Sequence, residues 1–222
     1  MINECETTKL FYDQYFYKLS VSNPIASIFR NKNLTYARQQ LDILQLEYEN
    51  KNQIVYKPGL RNLRIDVEDF VAAKFLLSEL SNQHNYQVRV ESPTLAIYSN
   101  NKKWLNYLKT KPLKIKEFYS PKQENLNLLA KHTIIMKDNN FGYSHKITLK
   151  DKVDQRFYKW LTSNPDKVKI GNTCLDSIKK GHYVRGFYFY IKNEKILSLI
   201  NLMICNDISR IDNIVYPALK DK

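Results

Sequence analysis

Glycine is scarce in this chain: five residues in 222. The scarcity removes chemistries that rest on a bare backbone. There is no G-x-x-x-x-G-K-S/T loop, no G-x-G-x-x-G and no G-x-S-x-G, which argues against an NTPase and a serine hydrolase. Cysteine is limited to Cys5, Cys174 and Cys205. That odd number, widely spaced and without a C-x-x-C pair, excludes a zinc ribbon or redox motif and predicts free thiols in a reducing compartment. The four histidines, His84, His132, His145 and His182, form no H-x-H or H-E-x-x-H pair. The acids make no D-x-D cluster. Asp66, Glu68 and Asp69 lie close together, but at a helix start they serve as cap and dipole complement. No metal or other cofactor is expected. The most apolar run, "ILSLINLMIC", is broken by Ser198 and Asn201 and falls far short of the roughly 20 residues that cross a bilayer. "MINECETTKLF" has no signal-peptide pattern. These features predict a soluble, cytoplasmic protein of a bacterium or an infected host cell, with no membrane partner.

Positive charge is what the chain has in excess. Lys and Arg number 35 against 22 Asp and Glu, a net charge of +13. Such a surplus favours polyanions, nucleic acid first among them. Hydrophobic residues make up 43% of the chain, enough for a well-buried core. Lys, Asn, Ile and Tyr abound. That bias goes with AT-rich genomes, such as those of many phages, other viruses and bacteria.

Periodicity places the elements. "DQYFYKLSV" alternates as a strand does. Ala37, Leu41, Leu44 and Tyr48 recur at helical steps, as do Phe70, Ala73, Leu77 and Leu80 behind the N-cap candidate Asp66. "KNQIVYKPGLRN", punctuated by Pro58-Gly59, reads as a loop. "YQVRVES" and "TLAIYS" read as strands, "KKWLNYLKT" as a short helix, and "LKIKEFYS" as a strand carrying Lys114 and Lys116 on one face. "PKQENLNLLAKH" reads as a linker or connecting helix. "TIIMKDNNFGYSHKITLK" reads as a hairpin turning near Asn140 and Gly142. Two helices follow, in "KVDQRFYKWLTSN", with Val153, Phe157, Trp160 and Leu161 buried, and in "NTCLDSIKKG", capped by Gly181. The chain then gives strand "YVRGFYFYIK", helix "EKILSLINLMI" and strand "SRIDNIVYP".

One internal similarity stands out. "IYSNNKKWLNYL…LKIKEFYSP" and "FYIKNEKILSLI…ISRIDNIVYP" share a plan, with Tyr98, Asn101, Lys103 and Leu105 matching Tyr190, Asn193, Lys195 and Leu197. The fold class expected is therefore α+β, in two ferredoxin-like βαββαβ halves with antiparallel sheets and extra helices, residues 1–124 and 125–222.

"RGFYFYIK" carries the functional expectation. Arg185, Gly186, Phe187 and Phe189 fit a signature of basic residue, glycine, aromatic, small residue, phenylalanine. In that respect the stretch resembles the third strand of the RNA-recognition-motif family. The resemblance covers eight residues; Tyr188, Tyr190 and Lys192 depart from it, and the family's first-strand aromatic is missing from "HKITLK". It implies that Phe187 and Phe189 stack on bases, Arg185 meets a phosphate and Gly186 lets the ligand's backbone approach. The other reading of the same strand is a core element buried on both faces. Lys102, Lys103, Lys114, Lys116, Lys179 and Lys180 are further candidates for phosphate contacts. The function expected is non-catalytic binding of single-stranded RNA or DNA. One alternative is a viral assembly protein whose aromatics make protein contacts. Another is a metal-independent endoribonuclease, a class that tandem ferredoxin-like basic proteins resemble, with His182 or His145 as acid or base.

Overall fold

In "YKLSVS" the apolar side chains recur at every second position, and Leu19 and Val21 sink into a core that Leu95 and Ile97 extend from the neighbouring strand. The computed structural model in which this is seen describes residues 2–51, 53–59, 62–138 and 141–217. It divides into two compact units: 1–7 with 14–122, and 8–13 with 123–222. The second is thus discontinuous, and a contiguous cut at 124/125 parts residues 8–13 from the unit they belong to. The class is α+β, with mostly antiparallel sheets.

The first unit runs β1 (Asn3–Glu6), β2 (Tyr17–Ser22), α1 (Leu34–Lys51), β3 (Ile54–Tyr56), β4 (Leu63–Ile65), α2 (Val67–Ser81), β5 (Tyr86–Glu91), β6 (Thr94–Ser99), α3 (Lys102–Lys109) and β7 (Lys114–Ser120). Its main sheet has the order β1-β7-β2-β6-β5, antiparallel except where β1 lies parallel to β7. The stripe Phe70, Ala73, Leu77 and Leu80 of α2 joins one core with Leu41 of α1, Leu105 of α3 and the sheet residues Leu19 and Ile97. Asp66 stands at the N-cap of α2 but its side chain makes no cap bond. The loop expected around Pro58 contains β3, which pairs with β4 as a separate small sheet.

The second unit runs β8 (Thr133–Ile135), β9 (His145–Leu149), α4 (Gln155–Ser163), β10 (Val168–Ile170), α5 (Asn172–Lys179), β11 (Tyr188–Ile191), α6 (Glu194–Ile204) and β12 (Ile208–Val215). Its sheet order is β10-β11-β9-β12-β8. The hairpin expected in "TIIMKDNNFGYSHKITLK" does not form. β8 and β9 each pair with β12, the first in parallel and the second antiparallel, so β12 lies between them. Of the turn residues expected there, Asn140 lies outside the described residues. The connecting stretch after Pro121 contains a 3-10 turn at Gln123–Leu128 rather than an α-helix.

All three cysteines are free. Cys174 packs in the second core, where burial pushes its thiol up to about 11. No described helix is long and apolar enough to cross a membrane. Among the described residues no cluster of three or more His, Cys, Asp or Glu is arranged to hold a metal.

Candidate functional site

In the second unit, Phe157 and Leu161 of α4, Ile178 of α5 and Ile200 of α6 pack against Ile147, Leu149, Phe189 and Ile191 of the central strands. Side chains alternate along a strand, so the intervening residues point away from these helices. Register fixes the pattern. Phe189 lies opposite Ile147, while Tyr190 lies opposite Lys146, which is itself opposite Asp212; on the other side Tyr190 faces Lys169. One row across four strands therefore reads Lys169, Tyr190, Lys146, Asp212. The next reads Tyr188, Thr148, Arg210.

This reverses the faces expected for "RGFYFYIK". Phe189 is 0% exposed, and its ring centroid is 5.6 Å from that of Phe157. Phe187 is half-buried and packs on the same core. Phe189 has no surface on which a base could stack, and Phe187 belongs to the helix-covered side. The outward aromatics are Tyr188, 44% exposed, and Tyr190.

Gly186 has a local role. It stands in a turn in which the Phe187 N–H donates to the Val184 carbonyl at 2.9 Å, with its φ at +83°. Left-handed backbone suits glycine, and a Cβ there would meet nothing within 4 Å. Gly186→Ala is therefore expected to cost stability through the backbone alone, about 1–2 kcal/mol. A lower urea midpoint at unchanged slope would show it; an unchanged midpoint would mean that the turn relaxes freely. Arg185 is exposed on this turn.

Around Tyr190 the aromatics form a cluster. Its ring meets Phe141 edge-on at 4.9 Å, Tyr143 at 6.3 Å and Tyr188 at 5.5 Å. The Lys146 ammonium lies 3.7 Å from the Tyr188 ring centroid, and that of Lys169 is 4.5 Å from Phe141. Burial raises the Tyr190 phenol above its ordinary value, and Tyr188 adds to this, so its hydroxyl remains a neutral donor. Lys146 is held below the usual ammonium range, first by burial and then by repulsion from Lys9 and Arg210, with Asp212 acting in the opposite sense.

The base of this face is ionic. Asp212 is 1% exposed; it accepts from Lys9 Nζ at 2.9 Å and from Arg210 Nε at 2.5 Å. Arg210 also bonds Asp13. Lys9 and Arg210 are thus committed to carboxylates. Among the described residues, Lys146 and Lys169 have aromatic neighbours but no carboxylate within ion-pair distance.

The remaining candidates are scattered. Lys114 and Lys116 have different partners: the Lys114 ammonium meets Asp69 at 2.8 Å, that of Lys116 meets Thr94 Oγ1 at 3.1 Å, and the register of β7 against β2 skips Lys116. Lys102 and Lys103 are exposed at the start of α3, and Lys179 and Lys180 at the end of α5. His182 is exposed just beyond α5. His145 is buried, its Nδ1 2.7 Å from Ser144 Oγ and its Nε2 3.2 Å from Glu194, so both ring nitrogens are occupied.

Sequence reasoning missed Tyr188, Tyr190, Lys146 and Lys169 as a group. Two signals pointed to them. Tyrosine carries a hydroxyl that favours a half-wet position, whereas phenylalanine does not. In "HKITL" the apolar residues occupy alternate positions, and apolar partners across strands share a face. No protein-family model, curated protein or solved structure matches this chain.

Proposed function

We propose that the protein binds single-stranded nucleic acid, without cleaving it, on the face of the second unit that carries Tyr188, Tyr190, Lys146 and Lys169. The observation that carries this reading is the aromatic cluster flanked by two ammonium groups that no described carboxylate neutralises. Unpaired bases stack on aromatic rings, and lysines follow the phosphates. Duplex bases offer no such faces. Both units are read as ferredoxin-like. The support is the antiparallel order β7-β2-β6-β5 in one and β12-β9-β11-β10 in the other, with a helix after the first strand and another after the third. On this reading the outward aromatics that would serve as in the RNA-recognition-motif family stand one residue along, at Tyr188 and Tyr190.

Fluorescence anisotropy with labelled oligothymidine and oligouridine tests the proposal. Binding is expected at low salt and should weaken steeply as salt rises. Tyr190→Ala should lower affinity by about 1–3 kcal/mol, and Lys146→Ala should reduce the salt slope by about one. No binding at low salt would sink the proposal. The same RNA incubated with protein in EDTA should remain intact; cleavage lost in His182→Ala would favour the endoribonuclease reading instead.

A second reading has one observation behind it. On the outer side of α6, Leu199, Leu202 and Met203 are exposed, Leu202 at 85%. Such side chains suit protein contacts.

A further inference from the structure

The two units match at single residues, beyond what a common strand order requires. In each, a short strand precedes the others in sequence and lies parallel to the last, β1 on β7 and β8 on β12. Each last strand skips one residue at the same step. β7 does so between the partners of Ser20 and Val21, and β12 between the partners of Thr148 and Leu149. The helix after the third strand starts in both with an asparagine whose side chain accepts from the backbone N–H three residues on, Asn101 from Trp104 and Asn193 from Ile196. Lys18 faces Tyr98 as Lys146 faces Tyr190. Bulges and caps are local devices that sheet order does not dictate.

This register makes the differences informative. Ala96 lies opposite Ser20 where Tyr188 lies opposite Thr148, and Glu117 pairs Ser20 where Arg210 pairs Thr148. Glu117 accepts from Lys18 at 3.3 Å, so the lysine equivalent to Lys146 is already neutralised. Tyr98 is only 6% exposed. Beside Ala96 lies a cavity of about 390 Å³, lined also by Lys18, Tyr98 and Glu117. It is room that a larger side chain at 96 would enter.

We infer that the chain is a fused repeat in which only the second unit's face accepts single-stranded nucleic acid, the choice being made at the paired positions Ala96/Tyr188 and Glu117/Arg210. The inference rests on the binding reading above and adds which copy binds and why. Isothermal titration of the full chain with hexathymidylate tests it. One site per chain is expected, with Lys18→Ala within about twofold of the parent and Lys146→Ala weaker by about fivefold or more, in line with phosphate contacts. The double variant Ala96→Tyr, Glu117→Arg should gain a second site. Circular dichroism must show that variant folded; if it is not, Glu117→Gln alone should raise first-face affinity, and its failure to do so counts against the inference. Two sites in the parent, or equal losses in Lys18→Ala and Lys146→Ala, would overturn it while leaving nucleic-acid binding intact. A parent that binds no oligonucleotide would overturn the binding reading and this inference together.

Discussion

Phe189→Ala is expected to destabilise the second unit by about 3–5 kcal/mol, the cost of an unfilled aromatic-sized cavity. The side chain is wholly enclosed between Phe157 of α4 and the apolar residues of β9, and no solvent-side rearrangement can fill the gap. Tyr188→Ala, one residue away on the same strand, removes a ring that is already half in water. Its effect on stability should stay below about 1 kcal/mol, as for most surface changes. The two variants therefore separate packing from contact. Denaturant unfolding gives the stability of each, and anisotropy on the folded fraction gives affinity. If Phe189→Ala melted like the parent and lost binding, the assignment of faces would be wrong.

Asp212→Ala should cost about 3 kcal/mol, at the lower end for a broken buried ion pair because Lys9 and Arg210 are each about one-third exposed or less and can turn partly to water. The same carboxylate predicts a pH dependence. Burial alone would raise its pKa, but hydrogen bonds from Lys9 and Arg210 outweigh burial and hold it below its ordinary 3.8. A folded value below the unfolded one means that the unfolded state binds protons more readily in acid. The stabilisation is therefore complete above the ordinary carboxylate range and is lost as the pH falls through the lower, folded value. Asp212→Asn should flatten that acid limb of the stability curve. If Asp212→Asn kept the parent's acid limb, the loss would belong to other carboxylates.

Much of the fold was legible because its signals are local. The stripe Phe70, Ala73, Leu77 and Leu80 specifies a helix face by spacing alone, and it is buried as that spacing requires. Asn101 and Asn193 match each other in the sequence, and the structure shows each capping a helix start. What was not legible depends on partners distant in sequence. "TIIMKDNNFGYSHKITLK" looks like a hairpin until β12, about seventy residues on, enters between its arms. "FYFY" is aromatic at every position, so only the tyrosine hydroxyls distinguish its two faces; the register against Ile147 and Lys146 decides which is covered. Lys9 could not be associated with Asp212 from the sequence, since 203 positions separate them.

That separation bears on how the chain is made. Residues 8–13 leave the ribosome long before β12, the last strand of the unit to which they belong. Until Arg210 and Asp212 are synthesised, Asp13 lacks its arginine and Lys9 its carboxylate. The early segment must wait, tethered, through the translation of the rest of the first unit, and closing so long a loop is slow relative to local structure. A ribosome paused before β12 would therefore hold a nascent chain in which the first unit has its strands and helices complete while the second still lacks the centre of its charged network.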